Sequence, residues 1–184
     1  SNDNIQSILP LTSLQEGLLY HYILHTNTME YHQRFYIEIT GKLNISTLFE
    51  AFKILTYQHE TLRTIYKWKG LKEPVQIILN KHYINFYYYD FEKNQTSFLE
   101  TLKTNSVHEN FLSNQVPVYI YVYKRDKQAY LIQIYYHHIV MDGWSNAIFT
   151  QQLFYYYIRL TQNSMPPHVK RYYVTNNYLM FLQK

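Results

Sequence analysis

At 184 residues, 47% of them hydrophobic and 18% aromatic, the chain can bury the core of one domain, or of one lobe of a larger one, and is too apolar for intrinsic disorder. It contains no cysteine, which excludes disulfides and thiolate metal ligands and fits a reducing cytosol. Its net charge of +4 is spread over scattered Lys and Arg, so no concentrated basic face for nucleic acid is expected.

No apolar window approaches the length of a membrane span, and the first residues lack a signal-peptide pattern, so a cytoplasmic protein without membrane contact is expected. From Leu11 to His25 the spacing predicts a helix, with Ser13 and Glu16 as an S-x-x-E capping box. His32–Thr40 alternates, Phe35, Ile37 and Ile39 against Arg34, Tyr36 and Glu38, and reads as a half-buried strand. After a turn at Gly41 to Asn44, Leu48, Phe52 and Leu55 fall at helical spacing and predict a second helix from about Ser46 to His59.

Strand-like runs follow at Leu62–Trp68, Val75–Leu79 and Ile84–Tyr89, with a turn at Lys69-Gly70. Ser97 and Glu100 signal another helix start. Val118–Tyr123 and Tyr130–Tyr136 read as a hairpin around Arg125-Asp126-Lys127. After Ser145 a helix should reach about Leu160, with its apolar side drawn through Ala147, Phe149, Leu153, Tyr156 and Leu160; the loop Asn163–Pro167 ends it. The fold class expected is therefore α/β: a two-layer sandwich of a mixed, largely antiparallel sheet with helices on one face. Four glycines are too few for a phosphate-binding loop or a GxGxxG fingerprint. The end "YLMFLQK" is apolar and carries no stop signal, so the chain is expected to continue in a longer protein.

The chemistry concentrates in "YYHHIVMDGWS". Neighbouring strand residues point to opposite faces, so His137 and His138 are not expected to share a cleft or a metal ion. Asp142-Gly143 is a turn signal, and Ser145 can cap the following helix. A histidine facing a cleft at such a junction can accept a proton or hydrogen-bond an oxyanion. From the spacing alone, a hydrogen-bonded histidine pair closing a strand fits equally well.

"HHIVMDGWS" resembles the HHxxxDG signature of nonribosomal peptide synthetase condensation domains, a branch of the chloramphenicol-acetyltransferase-like acyltransferases. Two further stretches occur in the family's order: "LTSLQEGLLYH", from Leu11, resembles its first motif, and "HETLRTIY", from His59, its second. The resemblance implies that His138 is the reacting histidine and His137 a support of the turn. It also implies an Asp142–Arg63 ion pair. Gly143 would keep the wall of the substrate tunnel thin, Trp144 and Ser145 would begin the next helix beside it, and Gln15, Glu16 and Gly17 would lie around its floor. One departure is Gln58, where the second motif usually has arginine.

By the same resemblance, residues 1–184 are the N-terminal lobe of a two-lobed domain and carry half of its site. The expected reaction joins the amine of one carrier-bound aminoacyl thioester to a carrier-bound acyl or peptidyl thioester, and the isolated lobe should be inactive or nearly so. No metal or bound cofactor is implied, since substrates arrive on the phosphopantetheine arms of carrier proteins. The partners implied are those carrier proteins, the second lobe and a neighbouring adenylation domain. Epimerization domains, free-standing acyltransferases and a non-catalytic docking lobe are the alternatives; cyclization domains, with aspartates in place of the histidines, are disfavoured.

Overall fold

A computed structural model describes residues 4–25, 31–81, 84–92, 97–105, 112, 115–140, 146–161 and 168–173. The main sheet has five strands in the order β5(Asn85–Asp90), β6(Val118–Asp126), β7(Ala129–His137), β2(His32–Thr40) and β8(His168–Tyr173). Only the β5–β6 pair is parallel. A second, three-stranded antiparallel sheet is ordered β1(Ile5–Pro10), β4(Val75–Leu79), β3(Thr64–Lys67). The α/β class and the mixed, largely antiparallel main sheet match the sequence-based expectation.

Period-2 alternation gives the main sheet two unlike faces. On one, Phe35, Ile37, Ile39, Ile120, Val122, Ile132 and Ile134 share a core with two helices, α2(Ile45–Gln58) and α4(Asn146–Leu160). Leu48, Phe52 and Leu55 of α2 and Phe149, Leu153 and Phe154 of α4 point into it. On the other face lie Tyr36, Tyr119, Tyr121, Tyr123, Leu131 and Tyr135, and Leu102 of α3(Phe98–Thr104) closes over them. The strand read as half-buried buries Phe35, Ile37 and Ile39 on one face; on the other, Tyr36 is buried too, while Arg34 and Glu38 are only partly covered.

That second face is built from rings rather than branched aliphatics. Tyr87 stacks on Tyr121, and Tyr89 on Tyr123, at centroid separations of 5.2 and 5.5 Å. The Tyr123 hydroxyl donates to the buried Gln133 Oε1 at 2.7 Å and accepts from Asn105 Nδ2 at 3.1 Å. Both polar groups are thereby satisfied where leaving them unpaired would be costly.

Several element ends differ from expectation. Thr12, not Ser13, caps α1(Ser13–Leu24): its hydroxyl accepts the Gln15 N–H while Gln15 Oε1 accepts the Thr12 N–H. The expected strand Leu62–Trp68 begins instead as a 3-10 turn, Glu60–Arg63, and only Thr64–Lys67 is extended. The buried side of α4 runs through Phe149, Thr150, Leu153, Phe154 and Tyr157, with Leu160 exposed. In a helix rich in tyrosine, hydropathy alone places the stripe poorly. The loop Asn163–Pro167 and the terminal "YLMFLQK" lie outside the described residues.

Candidate active site

Strand β7 ends at His137, whose partner across the sheet is His32 of β2. The His137 side chain is fully buried. Its ring meets those of Tyr22, on α1, and His32 edge-on at 5.8 and 5.4 Å, with Tyr31 at 6.5 Å. Nδ1 accepts the N–H of Ile139 at 3.1 Å, so the neutral ring carries its proton on Nε2. Burial, reinforced by the neighbouring charges of His32 and His138, pushes this histidine down from 6.5 to about 3.

The backbone beyond His137 is fastened at each peptide group. The His138 N–H donates to the Tyr31 carbonyl at 2.8 Å and the Val140 N–H to the His137 carbonyl at 3.0 Å. Tyr31 is left-handed, with φ of 64°, an uncommon conformation for a residue with a Cβ. The Ile139 carbonyl accepts the buried Tyr66 hydroxyl, from β3, at 3.3 Å. Ile139 and Val140 are themselves buried, while His138 is exposed. The turn thus holds one imidazole in the protein and presents the next at the surface.

The family model for the condensation domain matches residues 5–180. The chain belongs to the condensation-domain family. Surfactin synthase subunit 3 of Bacillus subtilis (strain 168) is 29% identical over 192 residues, covering 100% of this chain and 15% of that protein. The starter condensation domain of rhizomide synthetase shares the fold with a TM-score of 0.74 at 17% identity, over 89% of this chain and 40% of that one. A four-domain nonribosomal peptide synthetase bound to AMP and glycine matches with a TM-score of 0.71 at 17% identity, over 83% of this chain and 12% of that one. The chain therefore spans part of a condensation domain.

The condensation-domain motifs meet at this strand end to an unequal degree. Gln15, in the first turn of α1, donates through Nε2 to Gln76 Oε1 at 3.4 Å and lies beside the Tyr66 hydroxyl. Gly17 is exposed, and a Cβ added there would touch nothing within 4 Å. Arg63 is buried; its Nη1 donates to Gln6 Oε1 and to the Leu79 carbonyl. The Arg63 Nε has no hydrogen-bond partner among the described residues. The carboxylate of the half-exposed Glu60 lies 3.9 Å from Nη2. Asp142, Gly143, Trp144 and Ser145 lie outside the described residues.

At the unusual Gln58, the side-chain oxygen accepts the Tyr156 hydroxyl, and next to it His59 Nε2 hydrogen-bonds Gln152 Oε1 at 2.8 Å. Both contacts tie the end of α2 to α4. A small cavity among Phe52, Leu62, Ile84 and Phe149 lies on this helical side and includes neither His137 nor His138.

Sequence reasoning missed Tyr22, Tyr31 and His32 as neighbours of His137. Only strand register brings His32 opposite it, over 100 residues away in sequence. Tyr66 stood within the second motif, but nothing in its spacing tied its hydroxyl to Ile139.

Proposed function

We propose that the chain is the N-terminal lobe of a peptide-bond-forming condensation domain and that His138 is its reacting histidine. The observation that carries this reading is the exposed His138 ring on a turn whose flanking residues are buried and hydrogen-bonded. In the reaction the acceptor amine attacks the donor thioester carbonyl, forming the C–N bond. The C–S bond then breaks, and the pantetheine thiol leaves with a proton. His138 can hydrogen-bond the attacking amine and take its proton, or stabilise the charge on the tetrahedral intermediate. Both roles need an imidazole with free ring nitrogens at a fixed position.

Arg63 supports the proposed Asp142–Arg63 pair. A buried guanidinium with an uncommitted Nε donor favours a carboxylate close by. His137 supports the turn and takes no part in proton transfer. Gln15 and Gly17 line the tunnel floor, and Gly143, Trp144 and Ser145 its wall. Phosphopantetheine-borne thioesters are the substrates. Carrier proteins, the second lobe and an adenylation domain are the partners, in the cytoplasm.

Catalysis depends on groups preorganised by both lobes, so these 184 residues alone should be inactive or nearly so. The large apolar side chains exposed on β1 and α1, among them Ile8, Leu9, Leu14, Tyr20 and Leu24, support a surface that closes against more protein. A condensation assay with loaded carrier proteins tests the half-site: the complete domain should form the amide and this chain should not. Robust turnover by this chain alone would remove the need for a second wall.

A further inference from the structure

The second and third motifs are joined by a buried hydrogen bond, and Tyr66 makes it. This hydroxyl comes from β3 of the small sheet, is 1% exposed, and donates to the Ile139 carbonyl at 3.3 Å. The Gln15 side chain, fixed by the capping exchange with Thr12, lies beside the same hydroxyl from α1. Ile139 is held at its other end by His137 Nδ1. Ile139, the residue immediately after His138, is thus gripped at both its N–H and its carbonyl, by an imidazole from the main sheet and a phenol from the small one.

We infer that Tyr66 is a positioning residue: its hydroxyl fixes the Ile139 carbonyl and thereby the direction in which His138 points. The inference rests on the proposed role of His138. Tyr66 touches no substrate. Without its hydroxyl, the buried Ile139 carbonyl loses its donor and the turn is anchored to one sheet instead of two. Small losses of alignment at a reacting group cost rate far more than they cost substrate binding.

Tyr66→Phe removes only the oxygen and keeps the packed ring. In this chain, it should speed hydrogen exchange of the Ile139 and Val140 amides about tenfold and move the His138 ring resonances, with distant amides unchanged. In the complete domain, kcat for amide formation should fall about tenfold with KM for the loaded carriers unchanged. Gln15→Glu provides a second test: it keeps an acceptor for the Thr12 N–H, but its carboxylate draws the Tyr66 proton away from Ile139, so the same resonances should move. If Tyr66→Phe does not fold, Gln15→Glu decides.

Unmoved His138 resonances with wild-type exchange at Ile139 in a folded variant would overturn the inference. So would wild-type kcat in Tyr66→Phe while His138→Ala is inactive. Wild-type turnover in His138→Ala would instead sink the catalytic reading, and the resonance and exchange changes at the turn would still judge Tyr66 as its anchor.

Discussion

His137 and His138 are adjacent in sequence and occupy opposite environments. The first is fully buried, ringed by Tyr22, Tyr31 and His32, with one nitrogen committed to the Ile139 N–H. The second is exposed, and its backbone N–H is held by the Tyr31 carbonyl. A signature of two identical residues thus describes two different devices. The buried imidazole uses its hydrogen-bonding capacity to shape a turn, and the exposed one stands at the surface, where the proposed reaction would use it.

The contrast should break most visibly under acid. Burial lowers His137 to about 3, so between that value and its ordinary 6.5 the unfolded chain binds a proton that the native chain excludes. The stability His137 contributes is fully present above about pH 6.5 and is lost as pH falls toward 3, by on the order of 4 kcal/mol. Urea titrations across that range should show the slope. His137→Gln, which cannot be protonated, should flatten most of it, and an unchanged slope would mean that other groups carry it. His59, also lowered by burial, contributes in the same direction.

Next in size is His137→Ala, which leaves a cavity and strips the Ile139 N–H of its acceptor. It should cost about 3 kcal/mol in chemical denaturation. The smallest effect belongs to His138→Ala, which should change stability by no more than about 0.5 kcal/mol, as expected for an exposed side chain. Equal losses for the two alanine variants would erase the distinction between support and reaction.

Much of this arrangement was legible in the sequence, for reasons that can be named. The alternation of His32–Thr40 gave a strand with those bounds, because period 2 is unambiguous when one face is Phe and Ile. Strand alternation also led to the expectation that His137 and His138 part company, although β7 ends at His137 and it is the turn that carries His138 to the surface. The cap of α1 was misplaced by one residue because Thr12-x-x-Gln15 and Ser13-x-x-Glu16 are overlapping versions of one signal. Thr12 wins through its extended backbone, at φ −70° and ψ 158°. Strand β1 went unread because it is short and ends in Pro10, which an edge strand paired on one side only, to β4, tolerates. The neighbours of His137 were hidden for a different reason. Cross-strand register brings His32 to the turn, the packing of α1 brings Tyr22 and the meeting of two sheets brings Tyr66, and no local pattern encodes any of these.

The most direct measurement is amide formation by the complete domain carrying His138→Ala, with loaded carrier proteins and the denaturation midpoint of the variant checked alongside. If His138 is the reacting histidine, the midpoint stays near wild type while the rate falls by roughly a hundredfold or more, the range for a lost acid–base or oxyanion-stabilising group. A folded His138→Ala variant that forms the amide at the wild-type rate would contradict the account.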